Sequence, residues 1–182
     1  SRGSTNISYN PNGTISKVTD PLSRSVNYSY NGNGDVTEIK DNLNNKTSYN
    51  YDGVSRIISM TDANNNLTTY SYDNNDLTTN VTKPGSININ YSYDQNDKLT
   101  QISNPSGQIT SLSYNAKDLL QNMMNSLSRN TTYEYNENGL LKSKKYPNNQ
   151  ITSFSYDNSN RQTGVSSSGT NGSITGTIAY DN

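Results

Sequence analysis

The sequence predicts an all-β fold in which tandem 21-residue β-hairpins stack into one long, twisted antiparallel sheet. Three observations support this prediction: triplets that end in tyrosine recur at a constant spacing, a turn rich in Asn and Asp follows each triplet, and a second short apolar group follows each turn. A constant period of this length is typical of repeat proteins. The final tyrosines of the triplets, each 21 residues after the one before, are Tyr9, Tyr30, Tyr51, Tyr72, Tyr93, Tyr114, Tyr135 and Tyr156.

Each triplet predicts the end of a first β-strand. Large and small side chains alternate in it, as in Tyr28-Ser29-Tyr30 and Phe154-Ser155-Tyr156, and this alternation is typical of a strand with one apolar face. Fourteen of the 15 tyrosines lie in such triplets, including Tyr180 of an irregular last triplet. We therefore expect the tyrosines to form the structural core of the repeats. The predicted core residues are Tyr9, Tyr28, Tyr30, Tyr49, Tyr51, Tyr70, Tyr72, Tyr91, Tyr93, Tyr114, Tyr133, Tyr135 and Tyr156.

A tight turn and a second strand are predicted after each triplet. Asn, Asp and Gly, as in Asn10-Pro11-Asn12-Gly13, tolerate positive φ, and Asn or Asp side chains bond the backbone two residues further on. The next apolar residues lie three apart, such as Ile15 and Val18. This spacing breaks the two-residue period, so we expect either a β-bulge or a sharp twist of the strand there. A second turn, for example at Asp20-Pro21, closes the unit.

A helical interpretation fails because Ser, Thr and Asn are mediocre helix formers and Gly or Pro recurs within most periods. Only residues 118–124 have a briefly helical pattern, at the point where other repeats place their second strand.

A single hairpin buries too little apolar surface to be stable, so the repeats must stack. Because strands twist, the stacked sheet is expected to spiral, with one Tyr and aliphatic face and one Ser, Asn and Thr face. We predict a single array over residues 1–182.

Composition excludes several functional classes. The 182 residues carry a formal net charge of −1 with only 14 Lys and Arg, which argues against nucleic acid as a partner. The sequence has no apolar run near 18 residues, so it predicts no membrane-spanning helix. Because the chain has no Cys, it has no disulfides or thiolate metal sites. Because it has no His, it lacks the commonest general base and the commonest transition-metal ligand. Asn, Ser and Thr together make up 79 residues.

No catalytic, cofactor-binding or metal-binding residue is predicted. The chain has only three Glu, and its Asp lie in turns where nothing would raise a pKa. The segments Asp73-Asn74-Asn75-Asp76 and Asp94-Gln95-Asn96-Asp97 offer oxygen ligands that suit Ca²⁺. Neither matches a 12-residue calcium loop, and turns of this composition are expected without a metal.

The tyrosines have two interpretations: they pack the apolar face of the sheet, or they stack on sugar rings at its surface. Packing is favoured because they are most of the large side chains available for a core. Tyr146 differs, since it lies out of phase with the triplets and follows Lys142, Lys144 and Lys145. Tyr146 is the candidate surface-binding residue.

The repeat resembles the YD repeats, or Rhs repeats, of bacterial polymorphic toxins, insecticidal toxin complexes and wall-associated proteins, with related repeats in animal teneurins. The segments Tyr51-Asp52-Gly53-Val54-Ser55-Arg56-Ile57 and Thr19-Asp20-Pro21 carry the resemblance, together with Tyr72-Asp73, Tyr93-Asp94 and Tyr156-Asp157. It extends over nearly the whole chain and fades after Gly164. Asn replaces the characteristic Asp at positions Asn10, Asn31, Asn115 and Asn136. Asn suits the turn as well as Asp does.

The resemblance implies a non-enzymatic stretch of wall in a spiralling β-shell that encloses a C-terminal effector of the same polypeptide. The parent would be a large secreted or cell-surface bacterial protein, of which this chain is a fragment. The alternative is a surface adhesin that binds a glycan or a protein. The self-cleaving region that closes the shells of toxin members is not found here. Because a fragment leaves strand edges unpaired, we also expect edge-to-edge self-association.

Overall fold

A computed structural model describes residues 4–169 and 172–179. Within these ranges the regular structure consists of 17 antiparallel strands, without a helix, so the all-β prediction is confirmed. The segment with a briefly helical pattern contains the start of a strand, Leu120–Asn125. The last predicted triplet ends at Tyr180, which lies outside the described residues.

The chain divides into two compact units, residues 1–89 and 90–182. In the first unit, consecutive strands from β1 to β8 pair antiparallel in chain order. Its strands are β1 (Asn6–Tyr9), β2 (Ile15–Thr19), β3 (Ser25–Tyr30), β4 (Val36–Asp41), β5 (Lys46–Tyr51), β6 (Ile57–Thr61), β7 (Leu67–Tyr72) and β8 (Thr78–Lys83).

In the second unit the strands again pair in chain order, from β9 to β17. Strand β9 contains the boundary between the units. The strands are β9 (Ile87–Tyr93), β10 (Leu99–Ser103), β11 (Ile109–Tyr114), β12 (Leu120–Asn125), β13 (Asn130–Tyr135), β14 (Leu141–Lys145), β15 (Ile151–Tyr156), β16 (Gln162–Gly169) and β17 (Gly172–Thr177). Nowhere in the described part of the chain is there a helix with the length and apolar character needed to span a membrane.

The same turn connects nearly all of the strands. In the first example the Asn10 N–H donates to the Thr14 carbonyl (2.8 Å) and the Gly13 N–H donates to the Asn10 carbonyl (2.9 Å). Within the described residues this pair of hydrogen bonds occurs in 14 turns, and the fourth turn residue has positive φ in each. The pattern is that of a turn closed by one residue in the left-handed region. The turn after β8 differs, since Gly85 and Ser86 both have positive φ.

A β-bulge follows the first turn of every repeat, and it explains why the apolar residues lie three apart. Tyr30 pairs with Val36 and Ser29 pairs with Glu38, so Thr37 has no partner on the opposite strand. The same register shift occurs in eight hairpins of the part of the chain that the structure describes. Of the two alternatives predicted, the bulge is therefore confirmed. The extra residues are Ser16, Thr37, Ile58, Thr79, Thr100, Gln121, Lys142 and Thr163.

The pairing separates the side chains onto two faces, because residues directly opposite each other point the same way. Tyr28 lies opposite Ile39, and this side is called the tyrosine face. Ser29 lies opposite Glu38 on the other side, called the polar face. Among the described residues no apolar side chain is fully buried, and Tyr9 is 61% exposed. Since a sheet face becomes a core only when something packs on it, the core role of the tyrosines stays a prediction.

Candidate functional site: the tyrosine face and the turn tips

The last tyrosine of a triplet is anchored to the repeat before it. The Tyr30 hydroxyl donates to the Ile15 carbonyl at 2.8 Å, and the Tyr51 hydroxyl donates to the Val36 carbonyl at 2.7 Å. The ladder between β2 and β3 begins only at Lys17, so it does not use the Ile15 carbonyl. The hydroxyl therefore satisfies a main-chain acceptor beside the bulge. Equivalent bonds run from Tyr72 to Ile57, Tyr114 to Leu99, Tyr135 to Leu120 and Tyr156 to Leu141.

The sequence analysis missed this tyrosine–carbonyl bond, although the sequence contains a signal for it. The first position of the triplet varies among Ile7, Tyr28, Leu112 and Phe154, whereas the last position is tyrosine in every repeat. A requirement for apolar surface alone would accept Phe at both positions. The strict tyrosine indicates that the hydroxyl is used.

Partial burial raises the pKa of some of the bonded tyrosines. Burial raises the pKa of Tyr51, with the neighbouring Asp35 carboxylate adding to the effect, and burial also raises the pKa of Tyr135. A phenol whose pKa is raised remains a hydrogen-bond donor throughout the physiological pH range.

The Asp and Asn side chains at the first turn position cap the turns. The Asp52 carboxylate accepts from the backbone N–H groups of Val54 and Arg56, both at 3.0 Å, while its second oxygen accepts from Arg56 Nε at 2.7 Å. The backbone bond from Arg56 is the main reason why the pKa of Asp52 is lowered. The Lys98 N–H lowers the pKa of Asp94 in the same way. These carboxylates are therefore ionised structural acceptors, which does not suit them to general acid catalysis.

The two candidate calcium segments use their carboxylates within the fold. Asp73 accepts from the N–H groups of Asn75 and Leu77, and Asp76 pairs with Arg56 at 2.6 Å. Asp94 likewise caps its turn. No group of three potential metal-ligating side chains comes together in residues 4–169 and 172–179.

Polar contacts join the tips of neighbouring hairpins. In the first unit, the Ser55 hydroxyl donates to Asp35 at 2.8 Å, next to the ion pair between Arg56 and Asp76. The Arg56 guanidinium also lies 4.7 Å from the centre of the Tyr72 ring. In the second unit, Lys98 pairs with Asp118, Lys117 donates to the Glu137 carbonyl, and Asn138 donates to Asn160.

The structure places the predicted surface residue Tyr146 at a turn tip, half-buried. Tyr146 occupies the first turn position, which is Asn or Asp in the 13 other turns of this type among the described residues. The Lys144 ammonium lies 4.6 Å from the centre of the Tyr146 ring and 5.5 Å from that of Tyr133. Of the three predicted lysines, Lys144 thus contacts Tyr146 directly. Lys145 lines a surface depression with Tyr146, and Arg129 and Asn130, which the sequence analysis missed, line it too.

Comparison with known proteins places this geometry in a family. The sequence matches the teneurin YD-shell family over residues 1–173, and no curated protein sequence matches it. The structure of TcdB2-TccC3-TEV aligns with a TM-score of 0.78 at 12% identity, over 99% of this chain and 11% of that one. The Tc holotoxin pore of Photorhabdus luminescens aligns with a TM-score of 0.74 at 13% identity, over 90% of this chain and 11% of that one. TcdB2-TccC3 without its hypervariable C-terminal region aligns with a TM-score of 0.60 at 16% identity, over 87% of this chain and 9% of that one.

At such low identity these structures show a shared fold, and the chain spans only about a tenth of their length. The family match covers nearly all of the repeats. By that match the chain belongs to the teneurin YD-shell family.

Proposed function

We propose that residues 1–182 form a single repeat array, and that this array is a stretch of shell wall enclosing a C-terminal effector of the same polypeptide. The observation that carries this proposal is the tyrosine–carbonyl bond, which in six repeats of the described part of the chain joins a hairpin to the one before it at a constant 15-residue offset. A contact that repeats without change allows hairpins to be added indefinitely, as a wall requires.

Such a wall acts by exclusion and needs no chemistry. Paired strands lie about 4.8 Å apart and leave no gap through which a folded protein or a protease can pass. The tyrosine hydroxyls and the contacts between turn tips hold the hairpins together beyond the ladders. We infer that the segment is not an enzyme, since the turn carboxylates of lowered pKa act as caps.

The relatives support the enclosed effector and the location. TcdB2-TccC3 has a hypervariable C-terminal region, and we propose a comparable C-terminal effector for the parent of this chain. The Photorhabdus luminescens relative is a holotoxin pore, and on this likeness we propose that the parent of this chain is a secreted or surface-attached bacterial protein.

Protease protection tests the enclosure. The parent protein is digested with trypsin under native conditions, and we expect its effector to survive as long as the wall is intact. Replacing Tyr51, Tyr72 and Tyr135 by Phe removes three carbonyl bonds and should speed digestion of the effector. The matched control replaces Tyr49, Tyr70 and Tyr133, the first tyrosines of the same triplets, and should change little. An effector digested in the intact protein as fast as in isolation would contradict the proposal.

A surface adhesin is the second candidate function, and one observation favours it. Tyr146 lies at a turn tip beside Lys144, in a repeat whose second strand and turn depart from the pattern of the others.

A further inference from the structure

The turn between β3 and β4 differs from the other turns in its chemistry. It reads Asn31-Gly32-Asn33-Gly34-Asp35, and in the described turns Asn31 is the only first-position Asn that is followed by Gly. The other first-position Asn residues, each followed by Pro, Ala, Ser or Glu, are Asn10, Asn104, Asn115, Asn125 and Asn136. An Asn-Gly pair allows the main-chain nitrogen to approach the side-chain amide, because Gly has no side chain that shields its nitrogen.

The Asn31 side chain is held by hydrogen bonds to both of its polar atoms. Its Oδ1 accepts from the N–H groups of Asn33 at 3.0 Å and Asp35 at 2.9 Å. Its Nδ2 donates to a carboxylate oxygen of Asp35 at 2.8 Å. Since Asn33 lies two residues further on, the bond to its N–H folds the Asn31 side chain back over the Gly32 peptide group. The amide carbon of Asn31, Cγ, is therefore brought close to the Gly32 nitrogen.

The Gly32 nitrogen is free to react. Within the described part of the chain no hydrogen bond uses the Gly32 N–H. Gly32 is exposed, and a Cβ placed on it would meet no atom within 4 Å, so water reaches the nitrogen. In the other Asn-Gly pairs that the structure describes, Gly is the fourth turn residue and its N–H donates to the carbonyl of the first. Those bonds measure 2.9 Å for Gly13, 3.2 Å for Gly34 and 3.0 Å for Gly139.

The two sets of bonds on the Asn31 amide favour attack at Cγ. The carbonyl oxygen gains negative charge when nitrogen attacks the carbon, and main-chain N–H groups already aimed at that oxygen stabilise the charge. The amide nitrogen becomes basic in the intermediate and takes up a proton, and the Asp35 carboxylate stabilises the resulting positive charge. In the described turns no other first-position Asn donates to a carboxylate, since Asn10 and Asn104 donate to neutral oxygens.

We propose that Asn31 is a site of spontaneous deamidation through a cyclic imide. The Gly32 nitrogen bonds to Asn31 Cγ and gives its proton to water, the bond between Cγ and Nδ2 breaks, and Nδ2 leaves as ammonia with a proton taken from water. Water then adds to one of the two carbonyl carbons of the imide and opens the ring. The product has aspartate or isoaspartate at position 31, and the sum is the uptake of one water and the loss of one ammonia.

Deamidation loosens this turn and its link to the next hairpin. A carboxylate at position 31 lies beside Asp35, so two like charges replace the hydrogen bond from Nδ2. Asp35 also accepts from the Ser55 hydroxyl at 2.8 Å, and Ser55 belongs to the turn between β5 and β6. Isoaspartate in addition lengthens the main chain and moves the N–H groups of the turn. We therefore expect the modified protein to melt at a lower temperature.

Incubation of the complete chain at neutral pH, followed by tryptic digestion and mass spectrometry, tests the proposal. The four Asn of the described Asn-Gly pairs fall in three tryptic peptides: 3–17 with Asn12, 25–40 with Asn31 and Asn33, and 130–142 with Asn138. Fragmentation of the second peptide assigns the change to one Asn or the other. In the folded chain we expect Asn31 to deamidate about tenfold faster than the other three. The product should contain isoaspartate, which direct hydrolysis of the amide does not form. In urea the four rates should become similar, because the turn geometry is lost.

Three variants test the chemistry of the turn. Gly32→Ala adds a methyl group beside the attacking nitrogen, where the fold has room for it. It should slow the modification of Asn31 about tenfold and leave the melting temperature of the fresh protein unchanged. Asp35→Asn keeps an oxygen acceptor for Nδ2 but removes the charge, so it should slow the modification several-fold. The matched control is Gly53→Ala, at the same position of the turn between β5 and β6, which also has room for a methyl group and should leave the Asn31 rate unchanged.

The melting temperature after incubation gives a second measurement. It should fall for the unaltered chain and for Gly53→Ala, and it should stay constant for Gly32→Ala. An Asn31 that remains unmodified, or that is modified more slowly than Asn12, Asn33 or Asn138 in the folded chain, would overturn the proposal. A product without isoaspartate would overturn the imide route, and an Asn31 rate unchanged in Asp35→Asn would overturn the part assigned to the carboxylate.

Discussion

The Tyr72 hydroxyl donates a 2.7 Å hydrogen bond to the carbonyl of Ile57, which lies 15 residues earlier and in the preceding hairpin. The ladder between β6 and β7 begins at Ser59, so the bulge leaves the Ile57 carbonyl without a strand partner. The Arg56 guanidinium lies 4.7 Å from the centre of the Tyr72 ring. Arg56 belongs to the turn between β5 and β6, the hairpin that also contains Ile57. The Tyr72 side chain thus supplies the hydrogen bond that the Ile57 carbonyl lacks at the bulge, and it links two repeats.

Removing that hydroxyl should weaken the link between repeats. Tyr72→Phe keeps the ring and loses the bond, so we expect the free energy of unfolding to fall by about 1 kcal/mol. Tyr70→Phe, two residues earlier in the same triplet, should cost under about 0.5 kcal/mol. Urea unfolding of the two variants measures the difference. Equal losses would mean that the hydroxyl bond does not stabilise the fold.

Truncating the ring tests the core role of the tyrosine face. Tyr72→Ala should cost about 3 kcal/mol if that face is covered in the folded protein, because a buried aromatic side chain is removed. Asn74→Ala, in the exposed turn that follows, should cost under about 1 kcal/mol. A turn substitution more damaging than Tyr72→Ala in thermal melts would show that the faces are wrongly assigned.

The left-handed turn position can be tested with two neighbouring glycines. Gly34 has a φ of +88°, whereas Gly32 does not lie in the positive region, and a Cβ at either one meets no atom within 4 Å. Gly34→Ala should therefore destabilise the protein by about 1 kcal/mol through backbone strain alone. Gly32→Ala should be neutral or slightly stabilising. Thermal melts that rank the two variants the other way would contradict the turn geometry.

The parts of the fold that were predicted correctly are those that depend on neighbours in sequence. The alternation in Tyr28-Ser29-Tyr30 and the turn residues Asn31-Gly32-Asn33-Gly34 identify strand and turn without knowledge of the rest of the chain. The spacing of Val36 and Ile39 indicated an irregularity but fitted a bulge and a twist equally well. Only strand register decides between them, and register depends on the partner strand.

The candidate site divides in the same way. The sequence identifies Tyr146 as a tyrosine out of phase with the triplets, and its contact with Lys144 is between residues two apart, one on β14 and one in the turn that follows. Arg129 was not recognised, because its distinguishing property is a missing partner. That property appears only once Arg24, Arg56 and Arg161 are seen to pair with the Asp at the start of their turns.

The turn carboxylates should make stability depend on acid pH. The pKa of Asp52 is lowered in the folded protein, mainly by the backbone bond from Arg56 and also by its side chain. A group with a depressed folded pKa stabilises the protein above its unfolded pKa, and this contribution is lost as the pH falls through the folded value. Stability should therefore decrease below about pH 4, near the ordinary pKa of Asp. Asp52→Asn should be less stable than the unaltered chain at pH 7, with the difference shrinking toward pH 2. A difference that is constant with pH in urea titrations would contradict an ionised cap.

The exposed edge of β1 should drive self-association of the chain. Among the described strands β1 pairs only with β2, so its other edge presents unpaired N–H and C=O groups that can bond a second copy. Ile7 and Tyr9, at 47% and 61% exposed, add apolar surface beside that edge. We expect sedimentation at rising concentration to show association of the unaltered chain. Ile7→Lys should shift it toward monomer, since a charge on an edge strand opposes pairing. The control Lys17→Gln lies on the neighbouring β2 and leaves the β1 edge unaltered, so it should associate like the original. A chain that stays monomeric at every concentration, with the β1 amides protected from hydrogen exchange, would show that the edge is covered by some other means.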